Sequence, residues 1–189
     1  MKTPISLGID IGGTQTKFGL IDSRGNCIDK SETDTDKYAT FGDYFHALSS
    51  SIRQLLEKHK DKILLKGIGI GAPYGNYLTG IIENAPNLQW KERIEITKLF
   101  SKEFNVPAYL TNDANAAAIG EMIYGGAKEM NHFIVITLGT GLGSGIVVNG
   151  DVLYGHDGFA GEAGHITVKP NGRMCGCGRK GCLETYVSA

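Results

Sequence analysis

The sequence predicts an α/β fold in two lobes, and three observations carry that expectation. Apolar periodicity gives the element order β-β-β-α-β-α-β-α, after which a strand, a glycine turn and a second strand come round again. Asp10-Ile-Gly-Gly-Thr14 and Leu138-Gly-Thr-Gly-Leu142 are weakly similar turns at the starts of two similar units. Glycine makes up 27 of the 189 residues, roughly twice the usual share, and thirteen of them lie between Gly139 and Gly181. Bunching at the ends of apolar runs suggests tight turns and close backbone approach rather than a flexible linker. The expected division is residues 1–115 for the first lobe and 116–189 for the second.

Each element has its own signal. Ser6–Ile11 reads as a buried strand closed by the turn Gly12-Gly13-Thr14, and Thr16–Asp22 returns as a second strand. Ser23-Arg24-Gly25-Asn26 turns the chain into a third strand, Cys27–Glu32, so the opening is antiparallel. Tyr44, Phe45, Leu48, Ile52, Leu55 and Leu56 form one stripe of an amphipathic helix over Phe41–Lys60. Leu64–Gly71 is an apolar strand that runs into Gly71-Ala72-Pro73. A helix around Ile94–Phe104 and a strand over Val106–Thr111 follow, and Asn112-Asp113 opens the Ala-rich helix Ala114–Tyr124. His132–Leu138 and Ser144–Val148 are strands joined by Gly139–Gly143, and Val152–Tyr154 completes a hairpin.

Composition excludes several classes. Only 5 prolines and no collagen-like period rule out a fibrous or disordered chain, and 41% hydrophobic with 21% charged residues is ordinary globular usage. A net charge of −1 gives no general drive toward nucleic acid or anionic lipid. No apolar run reaches the ~18 residues of a membrane span, and the N-terminus lacks a signal-peptide core. The chain is expected to be soluble and cytoplasmic, with no membrane or nucleic-acid partner.

Gly12, Gly13 and Thr14 expose backbone N–H groups and one hydroxyl, a nest that can hold phosphate, with Asp10 placed to hold Mg²⁺ through water. Gly139–Gly143 can do the same, or each motif is simply a hairpin turn. Neither matches the P-loop or the Rossmann fingerprint, but two in one chain point to a nucleotide site. Asp113 is either a helix N-cap or a general base that takes the proton of a hydroxyl attacking phosphorus. His165, Cys175, Cys177 and Cys182 can close a tetrahedral Zn²⁺ site, structural because four protein ligands leave no open position. Glu162 and Glu184 flank that cluster and by themselves read as surface charge.

Five segments together resemble the ROK family (repressor, open reading frame, kinase), its bacterial glucokinases in particular. They are Asp10-Ile-Gly-Gly-Thr14, Thr111-Asn-Asp-Ala-Asn115, Leu138-Gly-Thr-Gly-Leu-Gly-Ser-Gly145, Gly161-Glu-Ala-Gly-His165 and Cys175-Gly-Cys-Gly-Arg-Lys-Gly-Cys-Leu-Glu184. The resemblance implies an actin/hexokinase-like ATPase fold of two ribonuclease-H-like lobes. Family members run on past the point where this chain stops, so the second lobe is expected to be incomplete.

By the resemblance, ATP gives its γ-phosphoryl to a hexose hydroxyl, most simply glucose to glucose 6-phosphate. N-acetylmannosamine, N-acetylglucosamine or fructose is the alternative acceptor, and a ROK-type regulator or a non-catalytic sugar-binding lobe is the alternative class. Asp113 is then the base, and Asn87, Asn112, Glu162, His165 and Glu184 hold the sugar. Gly12, Gly13, Thr14, Thr140 and Gly141 cradle the phosphates, and the full-length protein is a homodimer or homotetramer. His165 serves metal and sugar at once, so the zinc orients the sugar loop. Family regulators carry a helix-turn-helix before the first glycine turn, whereas Asp10 here follows only nine residues, an expectation against direct DNA binding. Gly71-Ala-Pro-Tyr-Gly-Asn76 departs from the commoner Gly-x-Pro-Gly-Pro form of the family.

Overall fold

Alternation decides the first strand. In β1 (Thr3–Ile11) the odd-numbered Ile5, Leu7, Ile9 and Ile11 are buried while Ser6 and Asp10 on the opposite face are exposed. A computed structural model describes residues 1–83, 85 and 87–188 of the chain. It divides into two compact units, Met1–Asn112 and Asp113–Ala189.

The first unit is a five-stranded sheet in the order β3-β2-β1-β4-β7. β2 (Gln15–Asp22) and β3 (Cys27–Asp34) are antiparallel, whereas β4 (Ile63–Gly71) and β7 (Ala108–Thr111) run parallel to β1. Three antiparallel strands followed by two parallel ones is the ribonuclease-H-like topology. Helix α1 (Phe41–Lys58) supplies the crossover between β3 and β4, and Thr40 caps it by accepting the Asp43 N–H at 3.1 Å. Its stripe of Tyr44, Leu48, Ile52 and Leu55 joins one core with Ile5, Leu7, Ile9, Ile11, Phe18, Leu20, Ile68, Ile70 and Leu110. Phe45 and Leu56, from the same expected stripe, are only half-buried. The Trp90 ring packs on Tyr44 with centroids 4.4 Å apart and donates its indole N–H to the Tyr38 carbonyl at 3.0 Å.

Boundaries moved where backbone groups found other partners. Helix α2 (Ile96–Phe104) starts two residues later than expected, because Ile94 exchanges both backbone bonds with Ile82 at 3.0 Å. β7 starts after Pro107, which has no N–H to give the ladder. A small hairpin, β5 (Gly75–Asn76) with β6 (Ile81–Ile82), was not expected from the sequence.

In the second unit, α3 (Asp113–Ile123) packs on the antiparallel sheet β10-β9-β8, formed by β8 (Phe133–Leu138), β9 (Leu142–Val148) and β10 (Asp151–Val152). A Cβ on Gly145 would stand 2.6 Å from the Ala118 Cβ and 2.7 Å from the Ala114 carbonyl oxygen, so only glycine lets helix and strand approach this closely. Asn149 and Gly150 both take positive φ, the two-residue turn that sets Asp151 opposite Val148. That register starts β10 one residue earlier than expected. The last helix, α4, covers Glu184–Val187, and Ala189 lies outside the described residues.

Candidate active site and metal centre

Parallel strands end together, and their carboxyl ends form the first half of the site. Asp10 of β1, Gly71 of β4 and Thr111 of β7 occupy one row of the sheet. The turns leaving that row carry Gly12–Thr14, Ala72–Gly75 and Asn112.

The first glycine turn is closed by the Gly12 N–H donating to the Gln15 carbonyl at 3.0 Å. The Thr14 carbonyl accepts from Thr35 N–H at 2.7 Å. Beneath it the buried Thr16 hydroxyl bonds both Thr35 Oγ1 at 2.8 Å and the Tyr44 phenol at 2.6 Å. Burial pushes the Tyr44 phenol well above the usual tyrosine range, so it stays protonated. Sequence reasoning missed this trio, although a threonine inside an apolar strand and a tyrosine inside an apolar stripe were its visible signals. Gly13 packs on the backbone of Asn87, whose carbonyl oxygen would lie 2.7 Å from an added Cβ. Thus Gly12, Gly13, Thr14 and the exposed Asn87 are brought together, whereas Pro86 beside Asn87 lies outside the described residues.

Asn112 is half-buried and ends the first unit, and Asp113 is the exposed first residue of α3. Its Oδ1 accepts the Ala114 N–H at 2.8 Å, which fixes the carboxylate at a helix N-terminus where negative charge is favoured.

The second unit gathers the remaining candidates. Cys175 N–H donates to the Arg179 carbonyl at 2.8 Å, and Gly178, with φ of 85°, returns its N–H to Cys175 at 3.0 Å. This tight knuckle carries Cys175 and Cys177, while Cys182 pairs in a bridge with Thr167. The ligand atoms of His165, Cys175, Cys177 and Cys182 all lie within 4.8 Å of one another. Cys177 and Cys182 Sγ are 3.7 Å apart, and Cys175 Sγ is 3.6 Å from His165 Nδ1. A tetrahedron with Zn–S bonds of about 2.3 Å has edges of about 3.8 Å, so the donor set and spacing both fit Zn²⁺. Burial pushes the Cys175 thiol up to about 12, whereas hydrogen bonds from Arg179, its backbone N–H first, bring Cys177 down to about 6. Cys177 is therefore a thiolate near neutrality and Cys175 needs a cation to lose its proton.

Glu184 is no solvated surface charge. Its Oε1 accepts from the Cys175 thiol at 2.8 Å and lies 3.5 Å from His165 Nδ1, and its Oε2 lies 2.9 Å from where a Cβ on Gly141 would stand. One carboxylate thereby joins the second glycine turn to the cysteine cluster. Thr140 in that turn is exposed. Glu162 is exposed at the head of the short 3-10 turn Ala163–His165, which the Ser144 hydroxyl pins by accepting the Ala163 N–H at 3.0 Å and donating to the Gly161 carbonyl. Among the described residues no helix is long and apolar enough to cross a membrane.

A half-parallel sheet with a glycine turn after its first strand, followed by a second strand–glycine turn–strand unit, defines the actin-like ATPase fold. Residues 6–189 match the model of the ROK family, and the chain belongs to that family. It is 42% identical over 190 residues to a glucokinase of Halalkalibacterium halodurans, covering 97% of this chain and 56% of the relative. It is also 38% identical over 199 residues to the xylose repressor of Bacillus subtilis, covering 99% of this chain and 48% of that protein. The solved ROK glucokinase of Streptomyces griseus, in complex with glucose and AMPPNP, superposes with a TM-score of 0.80 at 34% identity over 97% of this chain and 57% of its own. The chain thus spans a little over half the length of the glucokinases it matches.

Proposed function

We propose that the protein is a sugar kinase that transfers the γ-phosphoryl group of ATP to a hexose hydroxyl, with glucose 6-phosphate as the first product to look for. The observation that carries this reading is the end of β7. There a carboxylate at a helix N-terminus follows a strand whose last residue shares a row with Asp10, two residues before the glycine turn. In this reading Asp113 Oδ1 is held by the Ala114 N–H, and Oδ2 accepts the hydroxyl proton as the sugar oxygen bonds to the γ-phosphorus. The bond from phosphorus to the bridging oxygen breaks, and ADP leaves with that electron pair. Gly12, Gly13 and Thr14, with Thr140 and Gly141, offer the donors such a phosphate chain needs, and Asp10 is the candidate for water-mediated Mg²⁺. Asn87, Asn112, Glu162, His165 and Glu184 are the candidates for the sugar hydroxyls. A Zn²⁺ on His165, Cys175, Cys177 and Cys182 would fix the His165 ring and the Glu184 carboxylate for that task.

The test is ADP release by the complete gene product against a panel of glucose, N-acetylmannosamine, N-acetylglucosamine and fructose. Asp113→Asn should cut turnover by about 10²–10⁴-fold while leaving sugar binding within a few-fold. Near-normal turnover would remove Asp113 from the base role. The similarity to a xylose repressor supports a second reading, a sugar-responsive regulator. Hexose binding with no ATP turnover in the wild type would select it.

A further inference from the structure

The three thiols of the cysteine–histidine cluster differ in access. Cys175 and Cys182 are 3% and 0% exposed, whereas Cys177 is exposed. Cys177 stands at the tip of a turn whose base is closed by the Met174–Lys180 bridge and by the Cys175 N–H on the Arg179 carbonyl. Gly176 and Gly178 flank it, and a Cβ on either would meet none of the described atoms beyond its chain neighbours within 4 Å. A small solute therefore reaches the Cys177 sulfur from open solvent. Cys182 is fixed beneath it. That residue bridges to Thr167, and its carbonyl accepts the Thr185 N–H at 3.1 Å and the Thr185 hydroxyl at 2.8 Å.

The exposed sulfur and the fixed one are also the pair placed to bond. Cys177 and Cys182 Sγ lie 3.7 Å apart, and a disulfide of about 2.05 Å asks them to close by roughly 1.7 Å. The loop between them, Gly178–Gly181, already folds back through two left-handed glycines, with φ of 85° and 82°. The remaining thiol is engaged elsewhere. Cys175 Sγ donates to Glu184 Oε1 at 2.8 Å, and a bridge from Cys175 to Cys177 would have to close around Gly176 alone.

We propose that Cys177 and Cys182 are a modification site for hydrogen peroxide, closing to a disulfide that discharges the Zn²⁺ of the cluster; this rests on the zinc reading above. A zinc-bound sulfur is a thiolate. The Cys177 sulfur attacks one peroxide oxygen, the O–O bond breaks, and hydroxide leaves a sulfenic acid behind. The Cys182 sulfur then attacks the Cys177 sulfur, the S–O bond breaks, and a second hydroxide leaves. The two sulfurs have lost two electrons and the peroxide has gained them, while two protons from the medium turn both hydroxides into water. His165 and Cys175 remain, two donors where a closed site needs four.

The test treats the zinc-loaded complete gene product with about one equivalent of hydrogen peroxide, reads free Zn²⁺ with a colorimetric chelator and maps disulfides by peptide mass spectrometry. About one Zn²⁺ per chain should be released together with a Cys177–Cys182 disulfide, and dithiothreitol with added Zn²⁺ should reverse both. Cys27→Ser, which removes the exposed thiol of the first unit, should respond like the wild type. Retained zinc, a disulfide that includes Cys175, sulfinic acid at Cys177 without a disulfide, or loss of the response in Cys27→Ser overturns the inference and leaves the zinc site standing. A native protein without zinc overturns both, and ADP release still tests the kinase reading by itself.

Discussion

β1 and β8 are written alike and end differently. Both alternate apolar residues, yet Ile5, Leu7, Ile9 and Ile11 are at most 3% exposed while Ile134, Ile136 and Leu138 are 59%, 49% and 64% exposed. In the first unit the stripe of α1 lies over the apolar face of β1, and all those side chains share one core. In the second unit α3 packs where Gly143 and Gly145 face Ala114 and Ala118, which is the other side of the sheet from Ile134, Ile136 and Leu138. An alternating pattern therefore states that a strand needs a partner and does not supply one. Few large side chains are buried in the second unit, and two of its buried residues are the metal-site candidates Cys175 and Cys182. Its order leans on glycine–alanine contact and on the cysteine–histidine cluster.

Metal removal should separate the two units most. Chelation, or Cys177→Ser, should release one Zn²⁺ per chain and strip hydrogen-exchange protection from the 163–187 segment while β1 and α1 stay protected, because binding energy at such a site is folding energy. No metal in the native protein, or equal loss across both units, would break the comparison. Core truncation is the next largest effect. Leu48→Ala removes a fully buried side chain and should cost about 2–5 kcal/mol, whereas Ile136→Ala should cost about 0.5 kcal/mol or less in the chain as it stands. Similar losses in chemical unfolding would mean that β8 is covered in solution.

The smallest effect concerns pH and the first unit alone. His59 at 2.8 Å and Lys58 at 2.7 Å hold the Asp29 carboxyl well below its ordinary range, tying β3 to the end of α1. A carboxyl held low in the fold contributes stability that is full above about pH 4 and drains as the pH falls through the folded value. Asp29→Asn should therefore destabilise slightly at pH 7, and its difference from wild type should shrink toward pH 2. A difference that is constant over that range would sink the assignment.

Much of the candidate site was legible because the chemistry proposed for it depends on residue type at short spacing. The four residues of the cysteine–histidine cluster, whose ligand atoms fit Zn²⁺, occupy a span that a knuckle can close, and the glycine turns sit beside the strands that the periodicity marks. Other parts were not legible. The link that Glu184 makes from Cys175 back to Gly141 joins positions far apart in the chain, and the Thr16–Thr35–Tyr44 trio does the same. Local spacing carries no record of such meetings.

The sequence by itself determined the order of the main strands and helices, the antiparallel opening, the glycine turns and the residues of the cysteine–histidine cluster, since periodicity, turn chemistry and ligand type act over a few residues. Tertiary structure decided that β4 lies between β1 and β7 and which apolar faces are covered. Those outcomes depend on which surfaces meet across tens of residues, and burial, strain and hydrogen-bond satisfaction are settled only when they do.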